Sequence, residues 1–91
     1  MFFVYIIQSL KTGRFYIGCT KDLEKRLRQH GKGENVSTRF GCPWVLVCYR
    51  KFLRQQEAYG CEKLVKSYKG GNGFKKIING EVAEWSKAAR C

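Results

Sequence analysis

The sequence predicts an α+β domain in which a small, three-stranded, mostly antiparallel sheet is flanked by helices. Three observations support this class. Two short apolar runs at residues 3–7 and 15–18 alternate their side-chain faces, as strands do. A nearly continuous apolar run follows at residues 44–49, and two further segments show helical periodicity. The chain of 91 residues is long enough for one compact core.

The first two strands are predicted to form a hairpin around the polar stretch 8–14. Tyr5 and Tyr16 would face each other if the loop is centred near residues 10–11, and would be diagonal neighbours if the register shifts by a residue or two. Gly18 has no side chain and is expected to leave an open patch beside Tyr16. Two phenols beside an open patch, followed directly by a basic helix, indicate a site for a phosphate.

The remaining elements follow in the order helix, strand, helix and closing element. The first helix is predicted over residues 22–30, the third strand over 44–49, the second helix over about 54–69, and a short closing helix or strand over 74–78. The core face of the second helix is predicted from its 3.6-residue spacing to contain Ala58, Cys61, Leu64, Val65 and Tyr68.

The net charge of +11 is the second strong signal. It belongs entirely to residues 1–80, predicted as the domain, because residues 81–91 hold two acidic and two basic side chains. A basic domain of this kind is expected to bind phosphate polyanions. Residues 81–91 show little apolar periodicity and are expected to be a loosely ordered appendage.

The composition also argues against several classes of protein. The sequence has no run of membrane-spanning length and no basic, apolar signal segment, so we expect a cytoplasmic protein without a membrane partner. Its five cysteines include no Cys-x-x-Cys pair, and the chain has one histidine. The cysteines are therefore expected to be reduced, small apolar residues rather than ligands of a structural zinc ion.

Two pairs of polar residues lie one helical turn apart beside apolar stripes. Arg26 and His30 are such a pair on the first helix, and Glu62 and Lys66 on the second. Spacing alone leaves two interpretations open for each pair. Arg26 and His30 are either site residues or a solvated arginine and a capping or partly buried histidine. Glu62 and Lys66 are either site residues or a surface salt bridge.

Residues 31–43 are predicted to form a loop rich in Gly, Asn, Ser and Thr. Arg39 and Phe40 within it could contact a nucleic-acid strand, with a guanidinium for phosphate and a ring for stacking. The alternative is that Phe40 packs into the core and only tethers the loop.

Taken in order, these segments resemble the GIY-YIG nuclease domain over about residues 2–79. The resemblance rests on five stretches of the sequence: Val4-Tyr5-Ile6; Tyr16-Ile17-Gly18; Asp22-Leu23 with Arg26-Leu27 and His30; Pro43-Trp44 with Leu46-Val47; and Glu57-Ala58 with Glu62 and Lys66. The chain is similar to the small single-domain members, and more distantly to the nuclease domains of the excinuclease C subunit and of homing endonucleases. Phe3-Val4 departs from the usual Gly-Ile, which adds bulk at the start of the strand.

The resemblance implies a phosphodiesterase that cuts one DNA strand with one divalent cation, Mg²⁺ or Mn²⁺, and acts in DNA repair. Tyr5 or Tyr16 would position or deprotonate the attacking water, Arg26 would stabilise negative charge on the phosphoryl oxygens, and Glu62 would bind the metal. His30 and Lys66 would orient water or hold a phosphate. Further contacts to nucleic acid are expected from Gly18, Lys25, Arg39, Phe40 and a late asparagine, Asn72 or Asn79.

The physical chemistry of phosphodiester cleavage agrees with these roles. Attack on an anionic phosphate needs fixed positive charge at the equatorial oxygens, which arginine supplies. A single carboxylate suits Mg²⁺ or Mn²⁺, since these ions keep several waters. A phenol has a pKa of about 10, so a basic Tyr5 or Tyr16 would need a pKa lowered by Arg26, Lys66 or the metal.

Two other functions are compatible with the sequence. One is a nucleic-acid-binding module of the same fold without catalysis, and the other is a protein whose basic surface meets an acidic partner. The resemblance favours DNA over RNA, although no residue indicates recognition of a 2′-hydroxyl. The natural substrate and the oligomeric state cannot be read from the sequence.

Overall fold

The computed structural model describes residues 1–31, 41–68, 71–80, 82 and 85–87. Its strands are β1 (Phe2–Ser9), β2 (Phe15–Thr20), β3 (Trp44–Phe52) and the two-residue β4 (Ser86–Lys87). Its helices are α1 (Leu23–Gly31), α2 (Gln55–Tyr68) and α3 (Asn72–Ile78). Within the described residues the strands form one antiparallel sheet in the order β2-β1-β3-β4. The predicted α+β class with three main antiparallel strands is confirmed, and β4 extends the sheet at the edge of β3.

The hairpin between β1 and β2 is closed by Ser9. The Ser9 hydroxyl accepts hydrogen bonds from the backbone amides of Lys11 and Thr12 at 3.1 and 3.0 Å. The Ser9 amide bonds to the Arg14 carbonyl at 2.9 Å, and Gly13 takes the positive φ of 78° that the turn requires. These bonds fix the register of the two strands for the residues that follow.

The register makes Tyr5 and Tyr16 diagonal neighbours, the second of the two arrangements predicted. Tyr5 lies opposite Gly18, and Tyr16 lies opposite Ile7. Because side chains alternate along a strand, Tyr5 and Ile7 point to one side of the sheet and Val4 and Ile6 to the other. We call the Tyr5 side, which carries α1, the α1 face, and the Val4 side, which carries α2 and α3, the α2 face.

The α2 face holds the main apolar core. Its buried members are Val4, Ile6, Val47, Cys48, Ala58, Val65, Phe74, Ile77 and Trp85. Trp85 is 7% exposed, and the neighbouring β4 pairs with Cys48 and Tyr49 of β3. The described part of the segment 81–91 thus packs against the sheet, while the proposed domain boundary at residue 80 stays a prediction.

The predicted core face of α2 is wrong at two positions. Ala58 and Val65 are buried and Cys61 is partly buried, but Leu64 and Tyr68 are 55% and 37% exposed. Successive residues are separated by 100° around a helix, so Ala58, Cys61 and Val65 form one narrow strip. Leu64 and Tyr68 lie at the margin of that strip, beyond the surface that the sheet and α3 cover. In the described part of the chain, no helix is long and apolar enough to cross a membrane.

Candidate active site

The start of α1 is fixed immediately after β2 by hydrogen bonds from two short polar side chains. Thr20 Oγ1 accepts a hydrogen bond from the Asp22 amide at 3.2 Å, and Asp22 Oδ1 accepts one from the Lys25 amide at 3.1 Å. The Asp22 carboxylate therefore caps the helix in the usual way. Since α1 begins here, its last turn brings His30 over the middle of β1.

His30 and Tyr5 form a buried hydrogen-bonded pair on the α1 face. The Tyr5 Oη atom lies 2.9 Å from His30 Nε2, and the two side chains are 2% and 0% exposed. Burial lowers the pKa of His30, and the nearby Arg26 charge lowers it further, so the imidazole is neutral at pH 7. The tautomer of this neutral imidazole determines whether Nε2 or the Tyr5 hydroxyl donates the bond.

The pKa of Tyr5 is raised well above its ordinary value. Burial is the main cause, followed by the neighbouring Tyr16, while Arg26 acts in the opposite direction. The lowered pKa that a basic Tyr5 would need is therefore not found, because loss of solvent outweighs the Arg26 cation. Tyr5 keeps its proton at neutral pH.

Gly18 makes room for the Tyr5 phenol. A Cβ atom at Gly18 would lie 2.5 Å from Tyr5 Oη and 2.6 Å from Tyr5 Cζ, closer than any real contact. The predicted open patch beside Tyr16 is therefore wrong, since the ring of Tyr5 covers it. A diagonal register places Tyr5 directly across from the glycine, and a large side chain fills the space that the missing side chain leaves.

Tyr16 is the more accessible of the two phenols. Its side chain is half-buried, and its ring centroid lies 5.2 Å from that of His30 and 6.4 Å from that of Trp44. His30 thus contacts both tyrosines, with a Tyr5–His30 centroid distance of 5.8 Å. Trp44 was not predicted as a site residue, and the available signal was its position next to Pro43 at the start of β3.

Arg26 and Glu62 lie on helices of opposite faces of the sheet, and the charges of both act on Tyr5. Arg26 belongs to α1 and lowers the pKa of Tyr5, whereas Glu62 belongs to α2 and raises it. Glu62 also raises the pKa of Cys19 on β2, although burial is the larger cause there. Because β2 is an edge strand, groups from both faces can meet around it. Hydrogen bonding and ring contacts thus bring Tyr5, Tyr16 and His30 together, and the charges of Arg26 and Glu62 act on Tyr5.

Lys66 joins this group through an ion pair. Its Nζ lies 2.8 Å from Glu62 Oε2, with side-chain exposures of 53% and 20%. The surface salt bridge that spacing allowed is thus formed, and it lies beside the site. Lys66 and Tyr16 also line a common cavity of about 490 Å³ between β2 and α3.

The site fits a divalent cation held by one protein carboxylate. Among the described residues, no three His, Cys, Asp or Glu side chains come together as a metal cage. Glu62 is partly exposed, and its charge raises the pKa of Tyr5. Mg²⁺ commonly binds through one or two carboxylates and keeps several waters, which is compatible with this donor set.

The other predicted contacts to nucleic acid are not joined to this group by a described contact. Lys25 is exposed on α1, Asn72 is exposed at the start of α3, and Asn79 follows the end of α3. Arg39 and Phe40 lie outside the described residues. Phe3, which departs from the usual motif, packs towards Tyr49 with ring centroids 6.3 Å apart.

The fold and the paired tyrosines define a class of small α+β nuclease-type domains, and comparison with known proteins agrees. A model of the GIY-YIG catalytic domain matches residues 1–76. The chain therefore belongs to the GIY-YIG family, a nuclease family.

Several curated proteins are similar to the chain over most of its length. A UPF0213 protein of Staphylococcus saprophyticus is 32% identical over 79 residues, 86% of this chain and 95% of that protein. A UPF0213 protein of Haloquadratum walsbyi is 36% identical over 67 residues, 72% of this chain and 74% of that protein. A third, from Streptococcus pneumoniae, is 32% identical over 68 residues, 74% of this chain and 68% of that protein. No solved structure matches the chain.

Proposed function

We propose that this protein is a divalent-metal-dependent endonuclease that hydrolyses a phosphodiester bond in one DNA strand per active site. The proposal is carried by the match of the GIY-YIG catalytic domain to residues 1–76, together with the packing of Tyr5 and Tyr16 around His30. A guanidinium and a carboxylate beside two phenols at a sheet edge suit a phosphate and its counterion.

The two tyrosines have different tasks in this mechanism. Tyr5 is buried, keeps its proton and holds His30 in place through the hydrogen bond of 2.9 Å. Tyr16 is half-buried and lines the cavity, so it is more accessible to solvent than Tyr5. Tyr16 is therefore the phenol that orients or deprotonates the attacking water, and His30 packs against its ring at a centroid distance of 5.2 Å.

The charged residues surround the position of the phosphate. Arg26 presents fixed, forked donors to the equatorial oxygens, where negative charge increases in the transition state. Lys66 is half exposed beside Glu62 and supplies a second cation to the strand. Glu62 would hold Mg²⁺ or Mn²⁺, and such an ion supplies a Lewis acid that polarises a phosphoryl oxygen.

Family membership and the basic charge support DNA as the substrate and DNA repair as the process. The net charge of +11 favours binding to any nucleic-acid backbone. A cytoplasmic location is part of the same proposal. Lys25, Asn72, Arg39 and Phe40 remain candidate contacts to the strand, whereas Gly18 is buried under Tyr5.

The first experiment is cleavage of a labelled panel with Mg²⁺, Mn²⁺ or EDTA. The panel contains a single strand, a duplex, a flap, a branched junction and an RNA hairpin. We expect metal-dependent cutting that falls about a hundredfold or more in Glu62→Gln, by analogy with removing one preorganised charge. Glu57→Gln is the matched control, since Glu57 is exposed on the same helix.

Binding without cutting by the wild-type protein under every metal condition would contradict the enzymatic proposal. Salt-dependent binding of DNA would then support the non-catalytic module of the same fold. Equal activity in Glu62→Gln and wild type would contradict the metal-binding role of Glu62.

A further inference from the structure

The cavity beside Tyr16 differs in chemistry from the phosphate site that it adjoins. It measures about 490 Å³, and its lining includes Phe15, Ile17, Phe74 and Ile78 next to Tyr16. Phe15 and Phe74 form one wall, with ring centroids 5.2 Å apart in an edge-to-face arrangement. Phe74 is buried, whereas Phe15 is 38% exposed and therefore within reach of a ligand.

A phosphate has no favourable partners against such a wall. Moving an anion out of water onto apolar side chains is costly unless a charge or donor meets it. A nucleobase suits the wall well, because its flat faces stack on aromatic rings regardless of base identity. The volume lies in the range of small-molecule pockets.

Two lysines give the cavity a charge that fits a nucleotide rather than an apolar peptide or lipid. Lys66 and Lys75 both line it, and Lys66 is also paired with Glu62 at 2.8 Å. The cavity thus shares Tyr16 and Lys66 with the candidate active site. A base inserted here would bring its own phosphates towards the lysines and next to Tyr16.

We infer that this cavity binds the unpaired base of a nucleotide adjacent to the cleaved phosphodiester. The inference rests on the proposed nuclease function and narrows its substrate class. Bases within a duplex are stacked and paired, and extracting one costs a few kcal/mol, least where the base is already unpaired. The substrates favoured are therefore flaps, bulges and single strands, and an intact duplex is a poor substrate.

The main test changes the substrate and leaves the wild-type protein intact. A flap substrate is prepared with a single abasic residue at each of three positions on either side of the cut. We expect one adjacent position to lower kcat/KM by about tenfold, as base–aromatic stacking predicts, and the other positions to have smaller effects. Equal kcat/KM at all positions, or cutting of an intact duplex as fast as the flap, would overturn the inference.

A variant of Phe15 tests whether the loss of kcat/KM at the abasic position depends on the cavity. In Phe15→Ala the abasic penalty at the sensitive position should shrink to less than threefold, since the stacking partner is gone. Leu10→Ala is the matched control, because Leu10 is an exposed apolar residue in the adjoining hairpin loop. An unchanged penalty in Phe15→Ala would place the base elsewhere and overturn the inference.

Failure of the nuclease proposal and failure of the base-binding proposal give different experimental results. If wild type cuts nothing, the proposed function is contradicted, and the abasic scan is then read by equilibrium binding in EDTA. A loss of affinity at one position near the flap junction supports the base site, and uniform affinity overturns it.

Discussion

The two faces of the sheet bury different kinds of side chain, although these side chains come from adjacent residues of β1. Ile6 points into the α2 face and is fully buried among aliphatic and aromatic side chains. Its neighbour Tyr5 points into the α1 face and is equally buried, but against His30. The α2 face gains stability from apolar area removed from water, roughly 25 cal/mol per Å².

The α1 face instead buries polar groups that must be hydrogen-bonded. The Tyr5–His30 bond offsets their loss of solvation, and such a bond contributes on the order of 1 kcal/mol net. The comparison indicates that the α2 face contributes most of the stability, while the α1 face holds the Tyr5–His30 pair of the site. Substitutions on the two faces should therefore separate folding from catalysis.

The largest effect is expected on stability, from Ile6→Ala on the α2 face. Removing this fully buried side chain should lower the free energy of unfolding by about 2–5 kcal/mol, through lost burial and a cavity. Urea denaturation measures it, with Leu53→Ala as the control, because Leu53 is 79% exposed and should change little. The kcat of the folded fraction should be unchanged, and a loss under 1 kcal/mol would contradict the assignment of the core.

Arg26→Ala is expected to lower the catalytic rate and to leave the stability of the fold nearly unchanged. Removing the guanidinium should lower kcat about a hundredfold, since its charge acts on the transition state. The free energy of unfolding should change by less than about 0.5 kcal/mol, as for other substitutions outside the core. Arg28→Ala is the matched control, an exposed arginine on the same helix. A similar loss of rate in both variants would indicate a general effect of charge on binding rather than a local role.

Gly18→Ala should affect both properties, because Gly18 lies under Tyr5. The added methyl would overlap the Tyr5 phenol, so the ring must move and its bond to His30 must lengthen or break. We expect a loss of about 1–3 kcal/mol in the free energy of unfolding, with a roughly tenfold lower kcat.

Gly60→Ala provides the contrast for that variant. A Cβ at Gly60 meets nothing within 4 Å, and Gly60 lies within α2, so alanine there should stabilise by up to about 1 kcal/mol. If Gly18→Ala were as benign as Gly60→Ala, the close packing of Tyr5 on the glycine would be refuted.

Local patterns in the sequence were sufficient to predict the main strands and helices. The alternating runs of β1 and β2 and the spacing of Arg26 and His30 depend only on neighbouring residues, so the hairpin and α1 could be predicted. The environment of Tyr5 could not be predicted in this way, because its raised pKa depends on burial by α1 and on a register fixed by Ser9. The burial of Trp85 likewise depends on a pairing of β4 with β3 that two residues cannot signal.

The smallest effect expected is the pH dependence that His30 gives to stability. Burial lowers the pKa of His30 below its ordinary value of 6.5, and Arg26 adds to the shift. The contribution of the neutral His30 to the free energy of unfolding is fully present above pH 6.5. There His30 is neutral whether the chain is folded or unfolded. As the pH falls below 6.5 the unfolded chain takes up a proton first, so stability is lost, by at most about 1.4 kcal/mol per pH unit.

Urea denaturation of wild type and His30→Gln at pH 7.5 and 5.5 measures this difference. The chain has one histidine, and carboxylates titrate mainly at lower pH, so His30 dominates the interval. Wild type should lose more free energy of unfolding than the variant between the two pH values. An equal loss in both proteins would mean that the imidazole is solvated in the folded state, and the α1 face would then lack the dry Tyr5–His30 pair that distinguishes it from the α2 face.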